Sequence, residues 1–117
     1  MHLAPTSLFN ALAHATRLRC LLLLLEFDEL CVCELTHAIG AAQPHMSRHL
    51  GQLREVGLVA DRRAGLWIHY RINPDLPSWV LEVLRATAAG NDSQKVLLGD
   101  VAALMSMPNR PGAPRCA

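Results

Sequence analysis

Residues 31–57, CVCELTHAIGAAQPHMSRHLGQLREVG, decide how the chain folds. In the first part Leu35, Ala38 and Ile39 recur at helical spacing, and Gly40 stands where a left-handed residue ends a helix. A second helix starts after Ala41 and Ala42. Pro44 is tolerated in a first turn, where its missing N–H leaves nothing unsatisfied, and Met46, Leu50, Leu53 and Val56 repeat at intervals of four, three and three before Gly57. Two short helices joined by a glycine-containing turn form a helix-turn-helix, in which the second helix is the one that enters a DNA major groove.

The flanks complete this unit. Leu8, Phe9 and Leu12 follow Pro5, Thr6 and Ser7 at helical spacing, predicting a short first helix, and residues 18–27 are apolar nearly all round, the mark of a buried central helix. On the other side, residues 58–63 and 66–72 flank Ala64 and Gly65, and Leu66, Ile68, Tyr70 and Ile72 alternate with Trp67, His69 and Arg71. Such a hairpin is marginal alone and must lean on the helices as a wing. Residues 73–78 open a fifth helix on which Leu76, Trp79, Val80, Val83, Leu84 and Thr87 share a face, suited to the core or to a dimer seam. After a break at 90–93, residues 96–105 form a last helix with Leu97, Val101 and Leu104 on one side. The tail from 107 to 117 holds three prolines and Gly112, a composition that predicts disorder. The expected fold is mainly α with a small β-hairpin, a winged helix-turn-helix over 1–106 that combines DNA binding and dimerisation.

At 117 residues and 51% hydrophobic content the chain supports one core. Its longest apolar block, 20–25, is far below the roughly 20 residues that span a bilayer, and the opening Met1-His2-Leu3-Ala4-Pro5 lacks a charged region followed by an apolar one. A cytoplasmic protein without a membrane partner is expected. The net charge of +1 conceals an asymmetry: residues 43–72 carry five arginines against Glu55 and Asp61, whereas each flank has no basic excess. Local charge decides whether a surface can neutralise phosphates, so double-stranded DNA would meet this middle third. Between the apolar positions of the second short helix stand Gln43, His45, Ser47, Arg48, His49, Gln52 and Arg54, side chains able to bond base edges or phosphates, and Arg62 and Arg63 add backbone contacts from the hairpin.

The four cysteines, Cys20, Cys31, Cys33 and Cys116, are too few and too uneven for a disulfide framework. Residues two apart point to nearly opposite sides of a helix but share a face of an extended strand, so Cys31 and Cys33 can grip one ion where a helix starts or distorts. Thiolates select soft or thiophilic ions. The alternatives are that both are small, partly buried side chains, that His37, four residues after Cys33, joins them in a zinc site, or that the pair oxidises. An enzyme is not expected, since there is no phosphate-binding glycine loop and no acid and base at a recognisable spacing.

From about Leu8 to Leu84 the chain resembles the ArsR-type metalloregulatory repressors. Residues 13–19, AHATRLR, resemble that family's second-helix opening, 43–50, QPHMSRHL, its recognition helix, and 57–59 with 62–67 its wing. The resemblance implies a homodimer paired through the first and fifth helices, where Leu8, Leu12, Leu76, Trp79, Val83 and Leu84 would meet the second copy. It also implies repression at an inverted-repeat operator, and release when an inducer binds. Residues 29–35, ELCVCEL, are similar to the motif in which two cysteines and a third one helical turn later bind As(III) or Sb(III), with no organic cofactor. Cys31 and Cys33 match. Thr36 occupies the third position, so the shell would be completed by a small thiol or water, or by Cys116 or Cys20. Relatives that sense zinc, cadmium or lead add cysteines from the N-terminal arm or Asp and His pairs on the fifth helix, whereas here no cysteine precedes Cys20 and no histidine follows His69.

Overall fold

The computed structural model describes residues 2–110 as six helices and a three-stranded sheet. Helix α1 (Pro5–Leu12) carries proline in its first turn. It is followed by α2 (Ala15–Glu26), whose start is capped by His14 accepting from the Thr16 N–H at 3.1 Å. Residues 20–24 of α2 are all buried, as its unbroken apolar run requires. Strand β1 (Leu30–Cys31) leads directly into α3 (Val32–Ile39), which ends at Gly40 with φ 79°. Recognition-type helix α4 (Gln43–Val56) ends at Gly57, φ 96°, where the Gly57 N–H returns to Arg54 O and the Leu58 N–H to Leu53 O, both at 3.0 Å. Glycine at both ends admits the left-handed residue that lets the last carbonyls find donors.

Strands β2 (Val59–Ala64) and β3 (Trp67–Ile72) form the expected hairpin, with Ala64 facing Trp67 across the turn and Gly65 at φ 62°. The third strand was not expected. Strand β1 pairs antiparallel with β3, Leu30 opposite Tyr70 and Cys31 opposite His69, giving the order β1-β3-β2. Helices α5 (Ser78–Ala89) and α6 (Asn91–Met105) complete the fold, and α6 starts at Asn91 because the break is confined to Gly90.

The core gathers Leu21 and Leu23 of α2, Leu35 of α3, Leu50 and Leu53 of α4, Tyr70 of β3, Leu84 of α5 and Leu104 of α6. Each fully buried leucine contributes about 1.5–3 kcal/mol. A buried polar fastening accompanies it: Asp100 of α6 accepts two hydrogen bonds from the Arg19 guanidinium of α2, at 2.6 and 3.0 Å.

Two expectations need correction here. Leu8, Leu76 and Leu84 are buried within the chain itself, so they cannot be the side chains offered to a second copy; of the six, Leu12, Trp79 and Val83 keep exposed surface. Within the tail expected to be disordered, residues 107–110 make contacts, while 111–117 lie outside the described residues. The Met107 N–H bonds Leu104 O at 3.1 Å, and Arg110 donates from Nε to Glu34 at 2.5 Å while its guanidinium lies 5.4 Å from the Phe27 ring centre. Cys116 lies outside the described residues. No single helix among the described residues is long and apolar enough to cross a membrane.

Candidate functional site

Cys31 is the last residue of β1 and the N-cap of α3, and Cys33 lies in the first turn of that helix. The change from extended to helical backbone between them turns both side chains to one side, and their Sγ atoms stand 2.7 Å apart as free thiols. With metal–sulfur bonds of roughly 2.3 Å, a single ion can touch both sulfurs. Cys31 is buried and Cys33 half-buried. Burial, together with the neighbouring Cys33 thiol, holds the Cys31 pKa above the ordinary thiol range, so any ion taken up there would have to displace a proton.

Glu34 fixes this corner. Its carboxylate is buried, one oxygen accepting from the Cys31 N–H at 2.9 Å and the other from Arg110. The first contact is the reach-back half of a capping box. The second brings Arg110, the last described residue, against Glu34. One residue before β1's start, Glu29 accepts two hydrogen bonds from Arg62 on β2, at 2.6 and 2.8 Å, and lies 3.8 Å from His69 on β3. The Arg62 guanidinium lowers the Glu29 pKa. The cysteine corner is thus hydrogen-bonded to the wing as well as continuous with α3.

Of the other cysteines considered as ligands, Cys20 sits in the core with its Sγ 3.4 Å from Met46 Sδ, and burial pushes its thiol up to about 12. It is a packing residue. Thr36 turns its hydroxyl back to Val32 O at 2.8 Å, and His37 is exposed. Among the described residues no group of three His, Cys, Asp or Glu side chains converges on one point.

On α4, Gln43, His45, Ser47 and Arg48 are exposed together over the first turns, with His45 Nδ1 and Arg48 Nη2 2.8 Å apart. His49 is not part of that face, and Gln52, though exposed, is engaged within the chain. His49 is buried, its ring 4.2 Å from that of His14, and Gln52 Oε1 accepts from Arg17 Nη1 at 2.9 Å. Arg17 also donates to the carbonyls of Ala11 and Asn10, both at 3.0 Å, so it ties α1, α2 and α4 into one block. Both side chains were expected among the base readers; the fold turns His49 inward because α2 covers that flank of α4, whereas Gln52 stays exposed with its amide oxygen engaged by Arg17. Arg63 stands exposed on β2 beside Arg62, and Arg54 is paired with Asp61 at 2.9 Å.

Glu29, Arg17 and Arg110 had no signal in the sequence that marked them as site residues. Only Glu34 carried one, as an acid three residues after a cap position.

Comparison with known proteins agrees with this geometry. Residues 14–61 match the family model described as bacterial regulatory protein, arsR family. The chain is 46% identical over 112 residues to the arsenic resistance transcriptional regulator ArsR1 of Pseudomonas putida, covering 96% of this chain and 86% of that one. It is 50% identical over 82 residues to the arsenical resistance operon repressor of Escherichia coli K12, covering 70% of each. Among solved structures, that of the AntR antimony-specific transcriptional repressor superposes with a TM-score of 0.64 at 32% identity, over 77% of this chain and 78% of that one.

Proposed function

Because the chain belongs to the bacterial arsR family of regulatory proteins, a family of DNA-binding transcriptional regulators and not of enzymes, we propose that it represses a metalloid-resistance operon and leaves its operator when As(III) or Sb(III) binds Cys31 and Cys33. The observation that carries this reading is the thiol pair, 2.7 Å apart, at the junction of β1 and α3. The names of the relatives support a metalloid as the inducer.

DNA is met by Gln43, His45, Ser47 and Arg48 in the major groove, with Arg63 of the wing on the phosphates and Arg62 beside it held by Glu29. Two copies paired about a two-fold axis read an inverted repeat, and the exposed apolar side chains Phe9 and Trp79, with Leu12 and Val83, supply the seam. Ion binding acts through its location. The cysteines cap the first helix of the helix-turn-helix and belong to a strand paired with the wing, so reshaping that turn shifts α4 and β3 relative to each other. Changing an operator from ~99% to ~1% occupied needs about 5.5 kcal/mol of coupling. Displacement of two thiol protons by two ion–sulfur bonds is a sufficient source.

The test is fluorescence anisotropy of a labelled duplex from upstream of the gene, with reduced protein, titrated separately with arsenite, antimonite and zinc. Release by the metalloids, abolished in both Cys31→Ser and Cys33→Ser, is the expected result. DNA binding indifferent to all three ions would remove the sensor and leave the winged helix. Release by zinc, or by an oxidant alone, would replace the metalloid with a zinc-, cadmium- or lead-type response or a thiol switch.

A further inference from the structure

Resting on the two-thiolate reading above, we propose that the site is built for a trivalent arsenical that carries an organic substituent, the arsenic held by Cys31 and Cys33 and the substituent lodged in the cleft between α4 and the wing. Trivalent arsenic forms three bonds, and the described residues offer sulfur for two. One helical turn beyond Cys33, where a third thiol would serve, stands Thr36, and its hydroxyl is spent on Val32 O at 2.8 Å. No third His, Cys, Asp or Glu among the described residues joins the pair. Inorganic arsenite would therefore keep a hydroxyl as its third substituent, which could bond only the Gln43 and Ser47 part of the adjoining cleft lining, whereas a carbon substituent would bury against Val32, Leu66, Trp67 and Ile68 of the same lining.

The space for such a group adjoins the thiols. Cys33 and Val32 form one wall of an open cleft of about 200 Å³, Gln43 and Ser47 of α4 a second, and Leu66 and Trp67 at the wing tip a third. For scale, an engineered apolar cavity of about 150 Å³ takes up benzene. Leu66 is 93% exposed and Trp67 37% exposed, so apolar surface at the wing tip stands open to a small apolar group. The reaction is a ligand exchange without oxidation: R–As(OH)₂ and two cysteine thiols give R–As(S–Cys)₂ and two waters, each thiol proton leaving on a hydroxide and the As–C bond kept. A group seated there touches the helix face that carries Gln43 and Ser47, so the substituent itself bears on DNA release.

The experiment compares phenylarsine oxide, which hydrates to the dihydroxy form, with arsenite on the full reduced chain, reading release of the labelled duplex, quenching of tryptophan fluorescence, and intact mass under non-denaturing conditions. The expected result is release at about tenfold lower concentration of the phenyl compound, equivalent to roughly 1.4 kcal/mol, with an adduct mass of one phenylarsenic group per chain and two protons lost. Trp67→Ala should reduce that preference to about twofold or less, and Leu66→Ala should reduce it in the same direction, because the cleft supplies it through apolar contact. Thr36→Cys should improve the response to arsenite and narrow the gap. Equal potency of the two compounds on the wild-type chain overturns the proposal, as does a preference that survives both cleft variants. A large loss of arsenite response in Cys116→Ser overturns it too, since the third thiolate would then come from the tail. If arsenite releases DNA but the phenyl compound is no better, only this inference fails; if neither releases DNA, the two-thiolate sensor fails with it.

Discussion

At the level of single residues, the chain sorts its titratable groups by burial. Cys31 and Cys20 both have thiols raised by loss of solvent, yet one stands against a second thiol and the other against Met46. Cys20→Ala is therefore expected to cost about 1 kcal/mol of stability, a small core truncation, and to leave metalloid-induced release within about twofold of wild type; anisotropy titration and urea denaturation check the two halves. His49 has its pKa lowered, first by burial and then by the neighbouring His14 and Arg17. The folded state thus binds its proton less readily than the unfolded chain, whose histidine titrates near 6.5. Its contribution to stability is complete above that value and is lost as the pH falls below it toward the folded pKa. Urea midpoints measured from pH 7.5 to 5 should fall on acidification, and His49→Gln should flatten that part of the profile. Spacing could not place His49, because it borders the stripe of Met46, Leu50 and Leu53, and only the covering α2 decides which side of that border it takes.

At the level of elements, strand β1 changes how the wing is understood. Two residues are too short to give an alternating pattern, so β1 had no legible period; it exists because β3 presents a free edge to it. Its pairing sets Glu29 against Arg62, and the wing's two adjacent arginines consequently differ. Arg62 is already neutralised in the chain by a two-fold hydrogen bond, whereas Arg63 is exposed. Releasing a phosphate counterion requires a charge not already spent. Arg63→Ala should thus lower the slope of log K against log salt for operator binding by about 0.9, and Arg62→Ala by much less. Equal slopes for the two variants would mean that Arg62 leaves Glu29 on the DNA. The helix-turn-helix itself was legible to within a residue or two, since periodic apolar positions between two glycines at positive φ leave few alternatives.

Across the whole molecule, distant segments are fastened by ion pairs that span most of the chain. Arg19 and Asp100 join α2 to α6 with the Asp100 side chain 6% exposed and that of Arg19 33% exposed. Asp100→Ala should destabilise by about 2 kcal/mol, below the roughly 3–5 kcal/mol for breaking a wholly buried pair, because the abandoned guanidinium still reaches water. Denaturant unfolding with an unchanged m-value would report it, and a loss under 0.5 kcal/mol would show that α6 is held by its leucines alone. From the sequence by itself came the winged helix, the face of α4 that carries Gln43, His45, Ser47 and Arg48, and the pairing of Cys31 with Cys33, because each follows from spacing along one element or its start. Tertiary structure alone decided that Leu8, Leu76 and Leu84 belong to the chain's own core, that His49 turns inward and Gln52 bonds Arg17, that Arg110 reaches Glu34, and that Cys33 shares a cleft with the wing tip. Those are contacts between segments remote in the chain, and local periodicity carries no information about which remote surface covers a given face.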